Sequence, residues 1–375
     1  MRRSLVVASI ALVVLLAGCA GLPGGDSADD DLLEESADHE ATSTPEDETD
    51  EAASDDGDAA EADDQTADDG DRPATADGEL ELHHIDVGQA DATLLITPAN
   101  ETILIDTGDW RHGGEGVIEY LEQEGIDRID HLVATHGHAD HIGGHDAVIE
   151  WAETEGDGIG AAYDSGVPHT SQTYDRYLDA VEAHDVDLFI VEEGDELPVD
   201  GNLTALVVNP EAGDSGSDLH DNSVAVVFEF GEFTYLTTGD AETDAEARMI
   251  NEWGGELDAD VYQAGHHGSS TSSTPAFLDT ATPEIAIISS AYDSQYGHPH
   301  DEVLESFADR DIETYWTGVH GDVVVTAGEG DIAVETADAF STDAEDLLDE
   351  KLDNDDQQSI RDLPAVTLQM GEAAR

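Results

Sequence analysis

From Glu79 onward the chain alternates short apolar runs with polar turns, and the polar stretch before it carries almost no large apolar side chains. Leu80 to Val87, Ala92 to Thr97 and Thr102 to Asp106 are rich in β-type residues, separated by Gly88-Gln89-Ala90-Asp91 and Pro98-Ala99-Asn100-Glu101. That spacing predicts an antiparallel meander. A helix is expected over Gly116 to Gln123, then a buried strand over the largely apolar Ile129 to Ala134, then a helix over His145 to Glu153. Gly143 and Gly144 carry no Cβ and let that last helix approach the preceding loop closely. From Glu155 to Asp218 the signal is weaker: Gly-rich pieces surround a helix over Ser171 to His184, and β-type runs follow at Leu188 to Val191 and Leu203 to Val208. A second regular half begins with a hairpin of Ser223 to Phe230 and Phe233 to Thr237, turning at Gly231-Glu232. It continues as a helix over Ala241 to Glu252, strands over Val261 to Ala264 and Glu284 to Ser289, a helix over Glu302 to Asp309, and closing strands over Gly321 to Thr326 and Ile332 to Glu335. Two halves, each of strands followed by helices, predict two packed sheets with helices outside.

The ends of the chain are different. Residues 1–19 have the layout of an export signal: Arg2 and Arg3, an apolar run from Leu5 to Leu16 too short to span a bilayer, then Leu16-Ala17-Gly18-Cys19, which resembles a lipoprotein lipobox. The resemblance implies cleavage before Cys19 and a lipid on its sulfur, anchoring the protein at the cell surface on the outer face of the membrane; a plain signal peptide or an uncleaved anchor are the alternatives. Arg2-Arg3 also fits a twin-arginine signal loosely. Residues 20–78 bury too little surface to offset the entropy of ordering and are expected to form a disordered acidic spacer. A folded domain would then span 79–338, and 339–375 read as a polar C-terminal tail with an amphipathic helix near Asp343 to Leu352.

Charge changes the picture less than its size suggests. The 375 residues hold 91 acidic against 11 basic side chains, a formal net charge of −80, with Lys351 the only lysine. Such a surface looks like that of a protein from a salt-loving organism. In dilute buffer it argues against a nucleic-acid partner, but in molar salt the screening length is only about 3 Å and the argument weakens. Cys19 is the only cysteine, so no internal disulfide forms and a metal in the domain must be held by nitrogen and oxygen.

The candidate chemistry lies directly after the run Ile129 to Ala134. Thr135-His136-Gly137-His138-Ala139-Asp140-His141-Ile142-Gly143-Gly144 places three imidazoles and a carboxylate within six residues. On an extended segment His136 and His138 project to one side, while a turn after Ala139 sends Asp140 and His141 toward a second position. A metal site is therefore expected, and the spacing has room for two neighbouring cations.

His136-Gly137-His138-Ala139-Asp140-His141, followed by Thr238-Gly239-Asp240 and His266, resembles the metallo-β-lactamase superfamily. Ile85-Asp86-Val87-Gly88-Gln89-Ala90-Asp91, Leu104-Ile105-Asp106-Thr107-Gly108, Gly265-His266-His267-Gly268-Ser269 and Tyr296-Gly297-His298-Pro299-His300 are similar to the metallo-β-lactamase domain of ComEC-type competence proteins, over roughly residues 80 to 335. The resemblance implies an α/β (α+β) four-layer αββα sandwich with two divalent metal ions at one edge. His136 and His138 would hold the first, Asp140, His141 and His266 the second, and Asp240 would bridge them. Zinc suits such ligands and manganese tolerates them. His220, in His220-Asp221-Asn222-Ser223, stands where many members carry a further ligand; a solvated loop histidine is the alternative.

The implied chemistry is attack by a metal-bridging hydroxide on a phosphodiester, DNA and single-stranded DNA first among them, with Asp140 in the catalytic set and His267 or His298 contacting phosphate or protonating the leaving oxygen. Asp86 and Asp106 are expected to orient ligands, Asp91 to line the pocket, and Arg111 either to meet an anionic substrate or to form a surface ion pair. The alternatives are a metallo-hydrolase of a lactone, thioester, β-lactam or phosphorylated surface polymer, and a non-catalytic surface binding protein. Nothing resembles the membrane channel of the competence proteins, so DNA uptake does not follow from the fold. His39, His112, His131, His145, His169, His184 and His320 carry no motif and read as spacer, surface or core histidines.

Overall fold

The first three apolar runs form the expected antiparallel meander: β1 (Glu79–His84), β2 (Thr93–Ile96) and β3 (Thr102–Ile105), with Leu82 opposite Leu95 and Leu94 opposite Leu104. This computed structural model describes residues 77–361 apart from 200, 201, 214 and 329. The expected signal segment at 1–19 and nearly all of the spacer at 20–78 lie outside the described residues. After β3 the chain crosses through α1 (Glu115–Glu124) to β4 (Ile129–Val133), through α2 (His145–Thr154) to β5 (Ile159–Asp164), and through α3 (Gln172–Ala183) to β6 (Leu188–Ile190). Each of β4, β5 and β6 lies parallel to its predecessor. The Ser171 hydroxyl caps α3 by accepting from the Tyr174 N–H at 3.1 Å.

The second half repeats the plan. β7 (Leu203–Asn209), β8 (Ala225–Phe230) and β9 (Phe233–Thr237) are antiparallel. Then α4 (Thr243–Trp253), α5 (Pro275–Ala281) and α6 (Asp301–Ala308) lead to the parallel strands β10 (Val261–Gln263), β11 (Ile285–Ile288) and β12 (Glu313–Trp316). A short α7 (Thr317–His320) returns the chain to the first sheet, where β13 (Val323–Gly328) pairs with β1 and with β14 (Asp331–Thr336); α8 (Ala344–Arg361) follows. The strand orders are β14-β13-β1-β2-β3-β4-β5-β6 and β12-β11-β10-β9-β8-β7.

Alternate residues along the strands sort into the layers. Leu82, Leu95, Ile103 and Val133 of one sheet meet Val226, Phe228, Tyr235 and Ile287 of the other. Their neighbours Leu94, Leu104 and Leu132 pack outward on Val117, Leu121 and Val148, while Leu236, Tyr262 and Ile288 pack on Met249, Phe277 and Phe307. Both faces of each sheet are covered, which is why the strands read as near-continuous apolar runs. This is the αββα sandwich that the resemblance implied.

Besides α5, β12 and the short α7, which the sequence pattern did not predict, two features depart from expectation. β5 lay hidden in a Gly- and Ala-rich stretch; a Cβ on Gly160 would stand 2.3 Å from the Asp130 carbonyl oxygen of β4, so close strand approach demands the glycine that masks the strand. The boundary expected at 338 also fails. Ala344 and Leu347 are buried beside Phe307 and Trp316, Thr314 N–H donates to Thr342 O at 2.8 Å, and Lys351 pairs with Asp301 on α6. The segment after 338 therefore belongs to the domain at least as far as Lys351. Leu347→Ala is expected to cost about 2–5 kcal/mol of stability, as for other fully buried leucines. Denaturant unfolding in high salt checks this, and a change within error would show α8 to be dispensable.

Candidate metal centre

The site forms where strands of both sheets end. β3 ends at Asp106, β4 delivers Thr135 to His141, β9 ends at Thr238-Gly239-Asp240, and the turn after β10 carries His266 and His267. Glycines make the approach feasible. A Cβ on Gly143 would stand 2.0 Å from the Trp110 nitrogen, and one on Gly239 (φ +50°) 2.4 Å from the Ser223 hydroxyl.

Three groups of ligand-type side chains result among the described residues; two contain Asp240, and the third is formed by His220, Glu242 and His266. His136, His138, His220 and Asp240 offer ligand atoms within 4.8 Å of one another, as do Asp91, His141, Asp240 and His267. Asp240 is 1% exposed. Its Oδ1 lies 3.1 Å from His141 Nε2 and 3.9 Å from His267 Nε2, while Oδ2 lies 3.7 Å from His136 Nε2. Asp140 Oδ2 stands 3.3 Å from His267 Nε2.

Neighbouring groups set which nitrogen faces the centre. Asp106, held in a left-handed backbone (φ 58°), accepts from Thr135 N–H at 2.9 Å, Thr135 Oγ1 at 2.7 Å and His141 Nδ1 at 2.7 Å. His267 Nδ1 donates to Ser289 O at 3.0 Å. In both rings Nε2 is left to face the centre, and a carboxylate or carbonyl behind the ring is the usual support of a metal-binding histidine. His141 Nε2, His267 Nε2 and Asp240 Oδ1 are buried without a hydrogen-bond partner. Leaving three such atoms unsatisfied is costly. A divalent cation would satisfy them together, so the donor set fits the metal that the fold implies.

The electrostatics agree. Burial alone would strip the proton from His267, yet Asp91 and Asp240 push its pKa up to about 9. His141 is likewise raised well above the usual imidazole range, burial being outweighed by Asp240 and Asp106. That field of carboxylates is one a cation would occupy. His136 and His138 go the other way. Burial, with His141 beside the first and His220 beside the second, lowers both, His138 to about 4. They are neutral, as imidazole ligands must be.

The expected residues therefore converge, with two exchanges: in the second group Asp91 stands where Asp140 was expected, and His267 where His266 was expected. His266 and His267 both adopt left-handed backbone (φ 51° and 56°), and the turn sends their rings in different directions. His267 points inward. His266 Nδ1 instead bonds Glu242 Oε1 at 3.1 Å, its side chain 20% exposed, with Nε2 at 3.6 Å from Asp240 Oδ2. The position expected of His266 in the second set is thus filled by His267, and His266 takes the more open place. His220 joins the first set rather than lying free in solvent. His298 is buried at the rim, its ring centroid 5.6 Å from His266 and 6.3 Å from His267, and burial lowers its pKa to about 3.

Asp86 does not reach the site: its carboxylate accepts from Gly88 N–H at 3.1 Å in an exposed turn. Arg111 pairs with Asp109 at 3.0 Å. Two neighbours went unnoticed in the sequence. Glu242 could have been found two residues after Asp240, whereas His169, its ring centroid 5.5 Å from His138, is brought in by a distant loop. Asp106→Asn is expected to weaken divalent-metal binding about 10–100-fold. His267→Ala should lower the bound metal per chain while His266→Ala keeps it, as measured by equilibrium dialysis with elemental analysis. Equal metal content in His267→Ala and the parent protein would return the ligand role to His266.

The family model of the metallo-beta-lactamase superfamily matches residues 85–291, which include all the ligand groups. The chain is 29% identical over 265 residues to ComE operon protein 3 of Bacillus subtilis (strain 168), covering 66% of this chain and 33% of that protein. It is 28% identical over 265 residues to competence protein ComA of Neisseria gonorrhoeae, covering 70% and 34%. The chain thus spans about a third of the length of the curated relatives it matches. Among solved structures, the metallo-beta-lactamase fold protein YhfI from Bacillus subtilis is covered over 100% of its length and 68% of this chain, with TM-score 0.45 and 13% identity. The family match takes in β2 to β11 and every member of the ligand groups, and the chain belongs to the metallo-beta-lactamase superfamily.

Proposed function

We propose that the protein is a dinuclear metal-dependent phosphodiesterase, acting at the cell surface on single-stranded DNA or a related phosphodiester. The observation that carries this reading is Asp240. One of its oxygens faces His141 and His267 and the other faces His136, at 3.1–3.9 Å. A carboxylate placed between two imidazole groups is suited to bridging two cations, whereas superfamily members that open lactams generally lack that bridge. His136, His138, His220 and Asp240 would hold one cation; Asp91, His141, His267 and Asp240 would hold the other, with Asp140 beside His267. Zinc or manganese there would supply a water deprotonated near neutral pH and would neutralise charge on the phosphate oxygens.

The chain's own residues do the rest. Asp106 and the Ser289 carbonyl keep His141 and His267 oriented. Glu242 holds His266 through Nδ1 and leaves Nε2 3.6 Å from Asp240 Oδ2, beside the centre, where the partly exposed ring can carry a proton to the leaving oxygen. His298 lines the rim of the site. The ComEC-type resemblance, together with a relative named as a competence protein, supports DNA as the first substrate to try. Uptake is not proposed, because the chain covers only a third of the relatives it matches. Attachment of a lipid to Cys19 would place the site outside the membrane; among the described residues no helix is long and apolar enough to cross one.

The test is to purify the chain in high salt and offer single-stranded DNA, bis(p-nitrophenyl) phosphate and a lactam, with Asp140→Ala and chelator-treated protein as controls. Cleavage of the first two, lost in both controls, is expected. Metal-loaded protein that cleaves neither of them contradicts the reading. A Cys19→Ser protein is expected to leave the membrane fraction, and one that stays there contradicts lipid attachment at Cys19.

A further inference from the structure

Gln89 stands in the loop between β1 and β2 and is not one of the metal-binding groups. The loop is tied down, since Ser289 Oγ donates to Ala90 O at 2.8 Å. The Gln89 amide is bonded at both ends. Its Oε1 accepts from the Ala291 N–H at 3.4 Å, and its Nε2 lies 3.3 Å from His298 Nδ1. A backbone N–H can only donate, so Oε1 must face Ala291 and the amide NH2 must face His298. Facing a donor, Nδ1 can only accept. The single ring proton of neutral His298 therefore sits on Nε2, and a second proton on Nδ1 would set donor against donor. Nε2 has no protein partner among the described residues, although His298 is only 7% exposed. His298 N–H donates to Ser294 Oγ at 3.2 Å and fixes the backbone behind the ring.

We propose that Gln89 is a positioning residue that holds the His298 proton on Nε2 and so makes the ring a neutral hydrogen-bond donor to a non-bridging oxygen of the substrate phosphodiester. The identity of the acceptor rests on the phosphodiesterase reading; the position of the proton does not. A neutral donor suits this place, because His266 and His267 already surround the ring with imidazoles. It also divides the labour at the mouth of the site: His298 grips the phosphate, and His266, backed by Glu242, faces the leaving oxygen.

Two-bond 1H–15N correlation spectra of the full chain labelled on histidine, with His298 assigned by its loss in His298→Gln, read the tautomer directly. The expected pattern is Nε2 protonated and Nδ1 bare. Gln89→Glu presents only acceptors to Nδ1 and is expected to draw the proton there. Gln89→Met, which presents no amide donor, should give a mixture. With bis(p-nitrophenyl) phosphate as the probe, Gln89→Glu should raise KM about tenfold, the loss of one hydrogen bond to a charged acceptor, with a smaller change in kcat. Thermal melts confirm that the variants are folded. A proton on Nδ1 in the parent protein overturns the inference whatever bond is cleaved, and so does an unchanged tautomer in Gln89→Glu. An unchanged KM with a shifted tautomer overturns the role toward phosphate. If the parent cleaves no phosphodiester, the substrate reading fails while the spectra still decide the place of the proton.

Discussion

The arrangement of this domain depends on the burial of Asp240 among imidazoles. A carboxylate removed from water, with Oδ1 beside two ring nitrogens that are themselves buried and unpartnered, is stable only if positive charge is supplied. Burial would raise its pKa, but His141, His266 and His267 around it hold it well below the ordinary carboxylate range. In the absence of metal, protonated histidines meet that demand. Two divalent cations would meet it better, because they satisfy the stranded nitrogens as well as the carboxylate.

The rest of the fold can be understood as support for that cluster. The two sheets meet so that β3, β4, β9 and β10 end at one edge, and each contributes a group that binds or orients. Asp106 from β3 sets His141, Ser289 from the end of β11 sets His267, and Ser223 receives the Asp240 N–H at 2.9 Å. Cationic side chains play little part. Arg111, Arg128, Arg176, Arg248, Arg310 and Lys351 each face a carboxylate. On so acidic a chain, a phosphate arriving at the site would meet its compensating charge at the metals and histidines rather than at arginines.

The dense motif from His136 to His141 announced itself in sequence because its ligands are neighbours, and the two-sheet plan was legible because apolar runs and helical periods alternate twice. What escaped depends on geometry that neighbours do not record. Which of His266 and His267 turns inward is decided by two consecutive left-handed residues and by a carbonyl more than twenty positions away. β5 was disguised by the glycine its neighbour requires, and α8 looked like a tail because the few residues by which its first turns reach the core, Ala344, Leu347 and Leu348, stand in a stretch dominated by acidic residues. His169 reaches His138 by tertiary folding alone.

The central claim is that two cations share Asp240. Crystals of the protein loaded with manganese, measured for anomalous scattering, test it most directly. Two peaks are expected about 3.5–4 Å apart, the usual spacing of such pairs, one beside His136 and His138, the other beside His141 and His267, with a carboxylate oxygen of Asp240 touching each. A single peak, or two peaks of which one has no contact with Asp240, would contradict it.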